Sequence, residues 1–253
     1  MGYVDIHSHV LYGLDDGAET REESVQMLEL AVRSGTTDIV ATPHANGRYR
    51  FAPHLIAEQI AELSAGTELR IYPGCDFHLQ FDNIEDAVAH PEKYTINHKG
   101  YLLVEFPDVG FFTETDAILG RLLDGGMVPI VTHPERNREL RRHLDDIARW
   151  VQIGCYVQVT AGSYTGTFGK GARQTANELM HRGLTHFVAS DAHDVQFRSP
   201  SLLEAYTLLA DEWGEDLIRP LFVENPRAVL TGAAVDFELP PTSVRRRKWY
   251  QFW

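Results

Sequence analysis

Apolar and polar residues along the chain switch repeatedly between a period of two and a period near 3.6. Tyr3-Val-Asp-Ile6 alternates as a strand does; Val25, Leu28 and Val32 then recur at helical spacing, with Gly35 placed to end the helix. Thr20-Arg-Glu-Glu23 has the form of a capping box and marks where that helix starts. The unit repeats. Residues 38–44 predict a second strand, and Ile56, Ile60 and Leu63 a second helix before Gly66. Residues 69–76 predict a third strand; 77–100 are less regular, with a short helix near 84–89. A strand over 101–105, a helix over 114–123 and a strand over 128–133 follow. Leu140, Leu144, Ile147 and Val151 predict one long helix ending near Gly154. A strand at 156–160, a helix at 170–182 and a strand at 185–191 come next. Leu202, Tyr206, Leu209 and Trp213 line a last long helix, with a shorter one near 216–222.

Seven strands alternating with helices predict a parallel sheet with its helices outside. Tyr101-Leu-Leu-Val-Glu105 is nearly all apolar, as in a strand covered on both faces. Even spacing favours a closed (β/α) barrel of seven units over an open doubly wound sheet. No glycine-rich phosphate loop follows the first strand, which lowers a nucleotide-binding reading. No linker divides the chain, so residues 1–241 read as one domain and 242–253 as a separate tail after Pro240-Pro241.

Composition narrows the function. A formal net charge of −13 argues against a general nucleic-acid binder, which needs a basic face. No apolar run is long enough for a membrane span, and no basic, apolar leader precedes the first strand. The two cysteines, Cys75 and Cys155, build no disulfide framework, so a cytoplasmic location is expected. Neither suits nucleophilic phosphate chemistry, because the residues six further on are Phe81 and Ala161 rather than arginine.

The twelve histidines do not scatter evenly. In barrels of this kind the site forms at the C-terminal ends of the strands. The first predicted strand ends in His7 and His9, which share a face at i and i+2. The second ends in His44, the third in Asp76, the fourth in Glu105, the fifth in His133, and the seventh in Asp191 and His193. Asp16 sits on the first loop at the same rim. Any one of these has an ordinary structural explanation, as a satisfied core histidine or a turn aspartate. Together they exceed what one ion can use, which implies two or three divalent ions with carboxylates shared between them. Four carboxylates against three divalent ions leave the mouth net positive, suited to an anionic substrate. The other histidines read as structural or solvated, with His78 the least settled because it lies two residues after Asp76.

These motifs carry a resemblance. Asp5-Ile-His-Ser-His9, Thr42-Pro-His44, His133-Pro-Glu-Arg-Asn137 and Ser190-Asp-Ala-His193 resemble the polymerase-and-histidinol-phosphatase (PHP) superfamily. More narrowly they are similar to the bacterial CpsB/CapC-type protein-tyrosine phosphatases, as are Asp15-Asp16-Gly17 and Asn46-Gly-Arg-Tyr49. The resemblance runs from about residue 3 to 230 and implies a distorted (β/α)7 barrel. It implies a trinuclear, usually manganese-dependent site, with iron, zinc, cobalt or magnesium as alternatives. By position, His7, His9, Asp76 and Asp191 would hold the first ion, Asp76, Glu105 and His133 the second, and Asp16, His44 and His193 the third. Arg136 and Arg198 match phosphate-contacting arginines of the family. The implied substrate is phosphotyrosine on a membrane-associated tyrosine kinase of capsule or exopolysaccharide synthesis. Two positions depart from the pattern: Asp76 stands where the family usually has Glu, and Thr160-Ala161 where an Asn is expected.

The chemistry expected follows from these parts. Metal binding brings the pKa of water near neutrality, so a hydroxide bridging two ions can attack phosphorus. Cations and guanidinium forks neutralise the phosphoryl oxygens. Arg48, Tyr49 and Arg50 are candidates for the substrate rim. A small-metabolite phosphatase, such as one for histidinol phosphate, and a non-catalytic metal-binding scaffold are the alternatives. The tail Val244-Arg-Arg-Arg-Lys-Trp-Tyr-Gln-Phe-Trp253 sets four cations before four aromatics. It reads either as a frayed end or as a contact to an anionic membrane, a partner or a second subunit.

Overall fold

The computed structural model describes residues 2–107 and 114–236. Nine strands are present among them: β1 (Tyr3–Ser8), β2 (Thr36–Ala41), β3 (His44–Ala45), β4 (Arg70–Pro73), β5 (Asp76–His78), β6 (Tyr101–Glu105), β7 (Val128–Thr132), β8 (Tyr156–Thr160) and β9 (Phe187–Ala189). The helices are α1 (Arg21–Arg33), α2 (Pro53–Ser64), α3 (Phe81–Ala89), α4 (Thr115–Asp124), α5 (Leu144–Gln152), α6 (Ala161–Thr165), α7 (Gly169–His181), α8 (Leu203–Trp213), α9 (Glu215–Arg219) and α10 (Asn225–Thr231). All pairings are parallel, in two sheets ordered β1-β2-β4 and β3-β5-β6-β7-β8-β9.

The two sheets form one distorted barrel with seven staves, as expected, but two staves are broken. β2 and β3 are the predicted second strand interrupted at Thr42-Pro43; β4 and β5 are the third, interrupted at Gly74-Cys75. Pro43 has no N–H to give to a ladder. Gly74 lies so close to β2 that a Cβ there would stand 2.7 Å from Val40. Backbone bonds still cross the break: Gly74 N–H donates to the Ala41 carbonyl (2.9 Å) and Asp76 N–H to the Pro43 carbonyl (3.3 Å). Opposite, Ser8 bridges Ala192, and His9 N–H donates to the Ala192 carbonyl at 2.8 Å, closing the ring. As a consequence His44 and Asp76 open β3 and β5 rather than ending longer strands.

Alternation along β6 separates core from site. Leu103 and Glu105 share the inward face. Leu103 packs with Val4, Ile6, Val40, Ile130 and Phe187, while Glu105 stands above them at the mouth. Val229 and Leu230 of α10 close the opposite end of this core. Neither α10 nor α6 is foreseen by hydrophobic periodicity, since both are too short to show it.

Other boundaries sharpen. Thr20 caps α1, its hydroxyl accepting from Glu23 N–H at 3.2 Å, while the Glu23 carboxylate accepts from Glu19 N–H. The single helix expected from Leu140 is instead a 3₁₀ turn (Leu140–Arg142), a break at His143, and α5. Asn137 causes this: its side-chain oxygen accepts from both Glu139 and Leu140 N–H, a competing local structure. The helix expected near 216–222 divides into α9 and a π-type turn (Pro220–Glu224) that runs on into α10. The basic and aromatic tail lies outside the described residues.

Candidate metal centre

His7 and His9 arrive from β1 with their Nε2 atoms 3.3 Å apart and both rings buried. Each ring is held from behind through Nδ1. His9 Nδ1 lies 2.6 Å from Asp15 Oδ2, and His7 Nδ1 lies 3.0 Å from the Gln158 side-chain oxygen. In the neutral ring, an N–H donated at Nδ1 leaves Nε2 as a lone pair facing the mouth, the tautomer a metal ligand needs. Asp15 also accepts from the backbone N–H of His44 and of Gly17, each at 3.0 Å, so it ties the first loop to the second stave. Gly17 is required for this closure, because a Cβ there would lie 2.1 Å from the His9 carbonyl oxygen.

The nine side chains expected at the mouth meet there, in four overlapping groups. They are His9, Asp16, His44 and His193; His7, His9 and Asp76; His7, His133 and Asp191; and His44, Asp76 and Glu105, with donor atoms within 4.8 Å of one another in each. Nitrogen-to-oxygen separations run from 3.1 Å (His44 to Asp76) through 3.4 Å (His7 to Asp191) to 3.6 Å (His193 to Asp16). Ligand atoms about 2.0–2.2 Å from one ion are themselves roughly 3.0–3.5 Å apart. His133 falls with His7 and Asp191, and stands 3.8 Å from Glu105, the partner that the resemblance implies.

Asp76 provides the sharpest test of fit. It is fully buried, and neither carboxylate oxygen has a hydrogen-bond partner among the described residues, although His7 and His44 stand at 3.5 and 3.1 Å. A buried carboxylate without donors is costly unless a cation faces it. The nitrogen and oxygen donors around it suit divalent first-row metals.

Electrostatics agree with a mouth built around positive charge. Burial works against the charged forms of Asp76 and Asp191, yet His7 and, for Asp191, Arg136 hold both well below the usual carboxylate range. Burial pulls His7 down, but Asp76 and Asp191 outweigh it and raise it to about 9. His44 is raised to about 11, with Asp16 and Asp76 overcoming its burial. Burial and Arg136 push His133 well below its ordinary value, so its ring is neutral. Glu105 is pushed up by burial and by Asp76. His133 and Asp191 adopt positive φ angles of 33° and 50°, a conformation that non-glycine residues rarely take. Such strain concentrates at functional sites, and here it turns both side chains into the mouth.

Arg136 and Arg198 both donate to Oδ2 of Asp191, whose Oδ1 faces His7 and His9. Arg136 also lies over the Phe168 ring, 4.2 Å from its centroid. At the rim, Tyr49 stacks on His44 (5.9 Å, 13°) and Arg48 covers Tyr49 at 4.9 Å; Arg50 is exposed. Cys75 and Cys155 are buried, and burial raises both thiols, Cys155 to about 12. Neither is a nucleophile.

Three residues at the site were not assigned to it from sequence. Asp15 enters the sequence only as part of the Asp15-Asp16-Gly17 segment, with no role of its own, and Gln158 belongs to no motif. His78 had drawn notice only by its spacing; its Nδ1 lies 2.7 Å from Glu105 Oε2.

Residues 3–231 match the model of the family described as "Capsular polysaccharide synthesis, CpsB/CapC". The chain belongs to the CpsB/CapC family. The tyrosine-protein phosphatase YwqE of Bacillus subtilis is 34% identical over 98% of this chain and 99% of its own. The tyrosine-protein phosphatase CpsB of Streptococcus pneumoniae is 30% identical over 90% of this chain and 98% of its own. A crystal structure from work on these two proteins, described as unique metal-dependent tyrosine phosphatases, superimposes with a TM-score of 0.87 at 33% identity, covering 94% of this chain and 98% of that one. The lactonase Lmo2620 of Listeria monocytogenes, at 14% identity and a TM-score of 0.61, shares the barrel fold over 94% of this chain and 95% of its own. Among the described residues of this CpsB/CapC member, no helix is long and apolar enough to cross a membrane.

Proposed function

We propose that this CpsB/CapC chain is a metal-dependent protein-tyrosine phosphatase, with residues 1–241 as one catalytic unit. His7, His9, Asp16, His44, Asp76, Glu105, His133, Asp191 and His193 would hold three divalent ions, manganese foremost. When bound, the ions supply positive charge for the phosphoryl oxygens and acidify water, making a nucleophile available at neutral pH.

The chain's own residues do the rest. Arg136 and Arg198 are held by Asp191 at the edge of the donor cluster, each about a quarter exposed, so their remaining N–H groups reach substrate. Planar guanidinium forks match phosphoryl oxygens, and fixing them in advance avoids reorganisation during the reaction. Tyr49, held against His44 and Arg48, would border the place of the aryl ring at the rim, with exposed Arg50 the next residue in the chain. A phenolate leaving group has a pKa of about 10 and departs with modest assistance. The convergence of both arginines on Asp191 is the observation that carries the reading, since it joins the anion grip to the metal cluster.

The partner would be a phosphotyrosine protein, in keeping with the capsular-polysaccharide description of the family. A membrane-associated tyrosine kinase in the cytoplasm, approached through the basic tail, is the form we favour. The test compares a phosphotyrosine peptide, a phosphoserine peptide and histidinol phosphate, each with manganese and with chelator. Metal-dependent hydrolysis selective for the first is expected. Activity confined to histidinol phosphate would overturn the reading.

A further inference from the structure

Beyond Arg136 the chain turns tightly, Arg141 N–H donating to the Asn137 carbonyl and Arg142 N–H to the Glu139 carbonyl, and carries three further arginines. Arg138, Arg141 and Arg142 line an open surface cavity of ≈ 570 Å³, bounded on its other side by Gly171, Gln174 and Glu178 of α7. In a chain of net charge −13, most arginines find a carboxylate. Arg138 and Arg141 do not: among the described residues neither has an ion-pair partner. The carboxylates nearby are already engaged, Glu178 by Arg182 at 2.7 Å and Glu139 by Arg142 at 3.6 Å. Arg141 is half-buried, and its guanidinium lies over Gly171 so closely that a Cβ there would stand 2.5 Å from Nη1. The helix is bare at this point, and the guanidinium occupies the room a side chain would need. Arg138 is exposed, and an anion entering the cavity gives both guanidinia a charged hydrogen-bond partner.

Position says which anion. Arg136 and Arg141 are five residues apart, so their Cα atoms are at most about 18 Å from each other. An extended peptide covers that span in roughly five residues. We propose that this cavity is a specificity subsite, binding the carboxylates of an acidic peptide segment that flanks the phosphotyrosine within about five residues. The proposal rests on the phosphatase reading for its substrate, but the binding it claims can be measured without catalysis.

The test uses the full chain and two labelled peptides without phosphate, one rich in Asp and Glu and one neutral, read by fluorescence anisotropy. R138Q/R141Q is compared with wild type and with R33Q, which removes an exposed cation on α1. Two partly exposed charge pairs are worth about a fivefold to tenfold change in affinity. Wild type and R33Q are expected to prefer the acidic peptide by that factor, and R138Q/R141Q to lose the preference. With phosphotyrosine inside the same peptides, the preference is expected in KM, while free phosphotyrosine is hydrolysed equally by all three proteins. Equal binding of both peptides by wild type, or a preference that survives in R138Q/R141Q, would overturn the subsite. So would arginine-dependent binding of anionic lipid vesicles without discrimination between the peptides. Failure of all three proteins on free phosphotyrosine would instead count against the phosphatase reading and leave the anisotropy result to judge the subsite.

Discussion

Arg136 and Arg198 meet on a single atom: both guanidinia donate to Oδ2 of Asp191, although they come from the ends of different staves. The other oxygen of the same carboxylate stands 3.4 Å from the Nε2 of His7 and of His9. Asp191 thus fixes the distance between the two guanidinia and the histidine wall, and it does so at a positive φ of 50°.

Shared anchoring makes the arginine variants non-additive. R136K and R198K are each expected to lower kcat on a phosphotyrosine peptide by about 10- to 100-fold, because lysine cannot reproduce the fork. The double variant should lose less than the product of the two, since either change disturbs the hold on the other. Metal content should stay at the wild-type level; its loss would show that the arginines support the donors rather than the substrate.

Asp15 holds His9 from behind, its Oδ2 lying 2.6 Å from Nδ1. D15A removes the acceptor for His9 Nδ1–H and for two backbone N–H groups. Loss of such a support weakens metal affinity about 10- to 100-fold. Titration of metal-free protein with manganese measures this, and wild-type affinity in D15A would refute the role.

Asp76 belongs to two donor groups, one with His7 and His9 and one with His44 and Glu105. D76N is therefore expected to deplete more than one ion, and D76E, which keeps the carboxylate but lengthens it by a methylene, to keep metal but alter its preference. Elemental analysis of the purified variants decides. Loss confined to a single ion in D76N would separate the two groups.

A pH effect away from the mouth follows from His186. Burial lowers its pKa to about 3 from an ordinary value of 6.5, and its Nδ1 accepts from Val157 N–H at 3.1 Å, a bond that protonation removes. Between these values the unfolded chain binds the extra proton, so stability is full above about pH 6.5 and falls as pH falls toward 3. At about pH 5 the loss from this group is on the order of 2 kcal/mol. Urea midpoints at pH 7 and pH 5 should differ less in H186N than in wild type; an equal difference would discount His186.

Much of this was legible in the sequence, for definite reasons. That nine side chains gather at one rim could be read because β-strand geometry carries a residue at a strand end to one rim of a barrel. The broken second and third staves could not, since Pro43 and Gly74 interrupt runs whose apolar pattern continues on both sides. Asp15 escaped because its partner depends on a loop folding back over six residues, which leaves no period to detect. Gln158 faces His7 across 151 positions, and the 3₁₀ turn at Leu140 depends on the Asn137 side chain rather than on spacing.

On the proposed function, the clustered side chains hold the metal on which phosphotyrosine hydrolysis depends. Stripping the purified protein with chelator, then restoring manganese in steps while recording bound metal and hydrolysis of a phosphotyrosine peptide together, tests it most directly. Activity should vanish with the metal and return in proportion to the ions regained. Full activity in protein from which the metal has been removed would contradict it.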